Sequence, residues 1–256
     1  MKADAVKMAA DLLYPPRCPI CGQILEFTAR GGYYRGTPEY RSYVHRECFL
    51  ELPFPDEKIC ERCGMPVTSE KRFCETCMER ERSFDGCRSV FLYEGNIRTA
   101  LSEMKYKNRK EYAGFFSFAA VERLSGYIKK TGADLIVPVP VHKERMKKRG
   151  YNQAALLAER IGHLTGIPVE KNLLIRKHVT EAQKELTPAD RKKNLADAFS
   201  VCYSFAERKT VLLVDDIYTT GATMEACARV LAGEAKAFRV YGLCMATSRE
   251  KLKNNA

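Results

Sequence analysis

The 256-residue sequence has no uninterrupted apolar run long enough to cross a bilayer, which argues against a membrane-spanning helix. It also lacks the apolar core of a secretory leader. Its first stretch, "MKADAVKMAADLLYPPRC", breaks its apolar pattern with Lys7 and Asp11. That stretch reads instead as a short amphipathic helix ended by Pro15 and Pro16. A cytoplasmic protein with no membrane insertion is expected. No G-x-x-x-x-G-K-[ST] loop is present, so a P-loop nucleotidase is excluded. Internal repeats and low-complexity tracts are missing as well.

What is abundant is positive charge. A net charge of +11 points to an anionic partner: nucleic acid, a phosphorylated small molecule, or both. The 45% hydrophobic and 29% charged content is that of an ordinary globular chain, long enough for one large or two modest domains.

Cysteine is also plentiful. Seven of the 11 cysteines fall within the first 77 residues, which marks off an N-terminal module over residues 1–82, with a second domain over 83–256. The ligand types come in pairs: Cys18/Cys21, His45/Cys48, Cys60/Cys63 and Cys74/Cys77. Two residues between the members of a pair allow one tight turn to aim both side chains at a single metal. Four pairs supply eight ligands, enough for two tetrahedral zinc ions. Sequential pairing gives two ribbons and crossed pairing gives a RING-like brace; loop-closure entropy favours the sequential arrangement. Each site has a full ligand set and no open position, so the zinc is structural, a staple for a module too small to make its own core. The alternative reading of this module is contact with nucleic acid or protein, helped by Arg62, Lys71, Arg72, Arg80 and Arg82. Cys87, Cys202, Cys227 and Cys244 lack pair spacing and are expected in the core.

After residue 86 the pattern alternates. "RSVFLY", "ADLIVPVPV", "KTVLLVDDI" and "AFRVYGLCMA" read as strands; "IRTALSEMKYK", "AGFFSFAAVERLSGYIKK", "YNQAALLAERIGHLTG" and "MEACARVLAGEA" read as helices. That alternation predicts an α/β fold, a parallel sheet flanked by helices on both faces. Ligands of such sheets sit beyond the carboxyl ends of the strands. Val211–Val214 form the buried strand, and Asp215 and Asp216 emerge at its end. Thr219, Thr220, Gly221, Ala222 and Thr223 form a small-residue loop before a helix that starts near Met224. Such a loop brings backbone N–H groups and hydroxyls close to a phosphate at a helix N-terminus. Carboxylates suit what lies next to that phosphate: sugar hydroxyls, or Mg²⁺. The stretch therefore reads as a binder of ribose 5-phosphate.

The run 211–223 resembles the PRPP-binding signature of type I phosphoribosyltransferases. With the four ligand pairs, "EMKYKNR" (103–109), "VPVPVHKERMKKRGYNQA" (137–154) and "RKHVTEAQKELTPADRKKNLADAF" (176–199), nearly the whole chain resembles the ComF family (ComFC/GntX-like). That family joins N-terminal zinc-binding cysteines to a type I phosphoribosyltransferase-like domain. His45 departs from it, standing where a cysteine is usual.

The resemblance implies a set of roles. Asp215 and Asp216 would anchor the ribose, and Thr219, Thr220, Gly221, Ala222 and Thr223 would hold the 5′-phosphate. The loop after "LIVPVP", with Lys143, Arg145, Lys147, Lys148 and Arg149, would meet the diphosphate of Mg²⁺-bound PRPP. Gly150 would allow an unusual turn after it. The polar segment 178–194 would correspond to a loop that closes over PRPP. No catalytic residue is assigned; His178 stands alone in that segment. The function implied is that of a PRPP- or ribose-phosphate-binding protein acting in uptake of single-stranded DNA during natural transformation, with a DNA-uptake helicase as partner. The alternative is an active phosphoribosyltransferase of nucleotide salvage with an unknown acceptor.

Overall fold

The structure is a computed structural model that describes residues 15–25, 43–55, 58–67, 71–177, 198–203 and 206–249. The expected N-terminal helix and the segment 178–194 lie outside the described residues. In chain order the elements are α1 (Arg46–Leu50), α2 (Glu75–Glu79), β1 (Gly86–Leu92), α3 (Gly95–Tyr106), α4 (Tyr112–Thr131), β2 (Leu135–Pro138), α5 (Lys143–Arg149), α6 (Gln153–Thr165), β3 (Leu174–Arg176), β4 (Phe199–Val201), β5 (Thr210–Tyr218), α7 (Ala222–Gly233) and β6 (Arg239–Thr247).

Four strands make one parallel sheet in the order β1-β6-β5-β2. Successive side chains of a strand point to opposite faces, so a strand covered on both sides must be apolar at every position. β5 meets that condition through "VLLV". Val211 and Leu213 join one core cluster with Val137, Val240 and the α7 residues Cys227 and Leu231. Leu212 and Val214 join the other, with Ile136, Leu243, Phe116 of α4 and Leu157 of α6. Helices thus cover both faces, as the alternating pattern predicts.

Each face also takes up one group of paired ligands. Cys60, Cys63, Cys74 and Cys77 belong to the α7-side cluster. Cys18 belongs to the α4-side cluster, together with Leu25, Val44 and Leu52. On that side Phe91 of β1 stacks on Phe54 at 5.3 Å and on Phe115 at 5.7 Å, with Phe116 edge-on at 6.1 Å. One strand residue thereby joins the chain between the two ligand groups to α4.

Three expectations change. The basic stretch after β2 is a helix, α5, closed by Gly150 in the left-handed region at φ 77°. His142 caps it, its side chain accepting a hydrogen bond from the Glu144 N–H. Seven residues rich in Lys and Arg have ample helix propensity, and the αL glycine closes the helix. β5 runs to Tyr218, one residue beyond the strand read as "KTVLLVDDI", so Asp215 and Asp216 lie within the strand rather than at its end. Cys202 is exposed, in a bend after β4, while Cys87, Cys227 and Cys244 are buried as expected. The antiparallel pair of β3 and β4, which packs against α7, was not foreseen.

Phe91→Ala is expected to lower stability by about 3–5 kcal/mol through loss of this ring cluster, read from the denaturant midpoint. A loss below about 1 kcal/mol would mean that the cluster does not join the two parts.

Candidate functional site

The site is built where β5 outruns its neighbour. β2 pairs with β5 only as far as Pro138 opposite Val214, whereas β5 runs on through Asp215 to Tyr218. The β2-side edge of residues 215–218 is therefore left uncovered by that strand. Because β5 is still extended there, Asp215 and Asp216 point to opposite faces. Asp216 faces α3 and pairs with Lys105, Nζ to Oδ2 2.9 Å, both side chains largely buried. Asp215 shares the α7 side with Cys227 and lies opposite Cys244 of β6.

Burial pushes the Asp215 carboxyl up to about 8, and the Asp216 charge adds to the rise. The Asp216 N–H, which donates to Asp215 Oδ1 at 2.8 Å, and the Lys105 and Arg176 cations oppose it only in part. Asp215 is therefore a carboxyl without a full complement of compensating partners, at the mouth of a cleft.

The cleft is open to solvent, and the empty space there, adjoining solvent included, is about 240 Å³. It is lined by Asp215 and the run 217–224, with Cys244 behind them. Gly221 shapes it. Its φ of 74° lies in the left-handed region, and a Cβ there would come within 2.2 Å of Tyr218 Oη. Only glycine fits, on both counts. The chain then enters α7 at Ala222, whose N–H donates to Thr220 Oγ1 at 3.3 Å. The first turn of this 12-residue helix has no earlier turn to satisfy its N–H groups. Small residues, hydroxyls and a helix N-terminus thus surround one space, with a carboxyl at its edge.

The basic residues singled out in the sequence do not line this cleft. Lys143, Arg145, Lys147 and Lys148 are exposed on α5. Arg149 is turned elsewhere: its guanidinium donates to Gln153 Oε1 at 3.1 Å and to Tyr106 Oη at 3.2 Å. Arg145 is close enough to Arg176 for their charges to repel, and Arg176 in turn feels Asp215. Arg176 Nε is buried without a partner among the described residues. Sequence reasoning missed Lys105, Arg176 and Tyr218 as parts of the site. Lys105 and Arg176 stand inside the ComF-like landmarks, but nothing in spacing says which cation of a basic run turns inward.

The paired ligands gather sequentially. Cys18, Cys21, His45 and Cys48 form one group and Cys60, Cys63, Cys74 and Cys77 the other, with ligand atoms within 4.8 Å of one another. In the second group Cys63 and Cys74 sulfurs are 3.6 Å apart, near the edge of about 3.8 Å expected of a tetrahedron with Zn–S bonds of 2.3 Å. In the first, His45 Nε2 is 3.1 Å from the Ile24 carbonyl and Nδ1 is 3.3 Å from Cys21 Sγ. Donation from Nε2 to that carbonyl leaves the Nδ1 lone pair facing the thiols, as a metal-ligating imidazole requires. Both donor sets fit zinc. A four-ligand site of this kind leaves no position for substrate, so the metal is structural.

These features define a parallel α/β domain with two zinc-ligand groups built into its faces. The double zinc ribbon domain matches residues 9–78 of the chain. The chain is 32% identical to competence protein ComFC of Bacillus subtilis, over 74% of this chain and 78% of that protein. It is 29% identical to competence protein F of Haemophilus influenzae, over 73% of this chain and 84% of that protein. Among solved structures it is similar to a purine phosphoribosyltransferase from Pyrococcus horikoshii, at 18% identity and a TM-score of 0.33, over 50% of this chain and 70% of that one. The chain belongs to the ComF family.

Two outcomes test this geometry. Gly221→Ala is expected to destabilise the protein by about 1–3 kcal/mol, seen in thermal or denaturant unfolding, because the loop must leave its left-handed turn. Asp215→Asn has a pH signature. A carboxyl raised to about 8 by folding holds its proton longer in the native state than in the unfolded one. Native stability therefore falls as pH rises from about 4 to about 8. Asn has no such proton, so the variant should gain on the wild type by a few degrees in melting temperature between pH 5 and 8.5. Zinc-site protonation is common to both proteins and cancels. A gap that narrows as pH rises would contradict the raised carboxyl.

Proposed function

We propose that the protein binds PRPP or a related ribose phosphate, and that it does so in the handling of incoming single-stranded DNA. It combines a zinc-binding segment over residues 1–82 with a phosphoribosyltransferase-like domain over 83–256. The observation that carries the reading is the cleft in which Asp215 faces the 219–223 loop at the N-terminus of α7. A dianionic 5′-phosphate suits the loop hydroxyls and first-turn N–H groups, and ribose hydroxyls suit the carboxyl. The Lys105 bond holds Asp216 in reserve; a ribose hydroxyl or a Mg²⁺ ion arriving with the diphosphate would compete for it. The exposed cations Lys143 and Arg145 stand on the helix that follows β2 and supply charge for the diphosphate. Arg149 would join them only by giving up its bonds to Tyr106 and Gln153.

The DNA part of the reading is supported by the names of the relatives, which include competence proteins and a DNA utilization protein of Escherichia coli. It is also supported by the run of exposed Lys and Arg on α5. A helicase of DNA uptake would be the partner that delivers or receives the strand.

Calorimetry with Mg²⁺ and PRPP separates the two parts. Above pH 8.5, where the Asp215 carboxyl is ionised, PRPP should bind in a Mg²⁺-dependent manner and lose at least about tenfold in affinity in Asp215→Asn, the loss expected for a hydrogen bond to a charged group. Unchanged binding in that variant would remove the cleft from the reading. Single-stranded oligonucleotide should bind with steep salt dependence and weaken on charge reversal at Lys147 and Lys148, whatever its sequence. Salt-independent binding, or affinity unchanged by the reversal, would move DNA away from α5. Diphosphate release on addition of candidate acceptors would mark turnover.

A further inference from the structure

The residues after the second ligand group do more than lead into β1. Three in succession contact the 219–223 loop or the residues that flank it. Ser83 donates to the Glu225 carboxylate three times, from its N–H to Oε1 and Oε2 at 3.1 and 3.0 Å and from Oγ to Oε1 at 2.6 Å. Glu225 lies in the first turn of α7, and its own N–H donates to the Gly221 carbonyl at 2.8 Å. Arg82 Nη2 donates to the Thr220 carbonyl at 3.5 Å. Phe84 stands edge-on to Tyr218 at 6.4 Å, and Tyr218 is the ring beneath Gly221. Neither Arg82 nor Ser83 lines the cleft.

The same strap reaches back to the ligand group. Cys77 is five residues before Arg82 and close enough for the two side chains to interact electrostatically, and Phe84 shares a core cluster with all four cysteines. The ribbon itself is fixed to the sheet: the Cys87 N–H donates to the Arg62 carbonyl at 2.7 Å, and Arg88 Nη1 to the Glu61 carbonyl at 3.0 Å. Gly64 lies so close to this strand that a Cβ would come within 2.6 Å of the Cys87 carbonyl oxygen. The ligand group, the strap and the loop therefore form one continuous set of contacts.

We propose that the strap Arg82–Ser83–Phe84 couples the Cys60/Cys63/Cys74/Cys77 group to the 219–223 loop, so that metal occupancy of that group sets the affinity of the cleft for a phosphorylated sugar. The ligand named here rests on the ribose-phosphate reading; the coupling rests on the contacts alone. The Ser83 bonds are charge-assisted and hold the first turn of α7 by a carboxylate that does not face the ligand. Loss of the metal frees four thiols that sit at the root of the strap. A strap with a mobile root no longer fixes the turn at Gly221, and the cradle must be ordered by the ligand at the ligand's own cost. Arg82 and Ser83 are positioning residues.

The test uses the full-length, zinc-loaded protein and two readouts: hydrogen exchange at the amides of residues 219–224, and calorimetry with Mg²⁺ and PRPP. Zinc chelation should speed exchange in this segment and weaken PRPP about tenfold. A zinc-loaded double variant, Arg82→Ala with Glu225→Ala, should show fast exchange there before chelation and little further change after it. Glu225→Gln keeps an acceptor oxygen for Ser83 and should restore slow exchange. Wild-type exchange and affinity in the zinc-loaded double variant would overturn the coupling, as would loop exchange that chelation leaves untouched in the wild type. If chelation unfolds the whole chain, the zinc-loaded variants decide. If the zinc-loaded wild type does not bind PRPP, the ribose-phosphate reading fails while the exchange comparison still decides the coupling.

Discussion

The contact between the Tyr218 ring and the Gly221 backbone is the constraint on which the site depends. Tyr218 ends β5 and is buried, with a hydroxyl that has no partner among the described residues. Its ring occupies the volume a side chain at position 221 would need. The chain must therefore turn left-handed over it, and that turn delivers the backbone into α7 beside Asp215. A strand that stopped at Val214 would give no such platform. Extending β5 past β2 places the carboxyl, the small-residue turn and the helix N-terminus on one uncovered edge.

The zinc ligands are part of this frame rather than an appendage to it. Cys18 of the first group is packed into one face of the sheet, and all four cysteines of the second share a core with α7 and with Leu213 of β5 on the other. Structural zinc in a small module is ordinarily explained by the lack of a core of its own. Here the cysteines contribute to a core that the larger domain also uses. The Cys60/Cys63/Cys74/Cys77 group thus shares its core with Phe84, next to the residues that bond Thr220 and Glu225.

Much of this was legible in the sequence because local patterns dictated it. Alternation of apolar runs gave the strands, Gly166 marked the end of α6, and the two-residue spacing gave the ligand pairs. The order VLLV-DD-small residues located the cleft. What was hidden depended on partners distant in sequence. Whether β5 ends at Val214 is decided by β6, which continues opposite it to Thr247. That continuation sends Asp215 and Asp216 to opposite faces, a split that adjacent identical letters do not reveal. The reach of Lys105 to Asp216 depends on where α3 ends relative to the sheet. The basic stretch 143–149 looked like a loop because its charges suggested a task; its helix propensity and the glycine after it made α5. Cys202 was placed in the core by residue type, yet it falls in an exposed bend.

The central claim is that the turn at Gly221 and the first turn of α7 receive the phosphate of a phosphorylated pentose. The most direct measurement is the backbone amide spectrum of the isotope-labelled, zinc-loaded protein during titration with PRPP and Mg²⁺. The account predicts that the largest saturable shifts fall on the amides of Thr220 to Met224. Saturable shifts confined to other surfaces, with these amides unmoved, would contradict it.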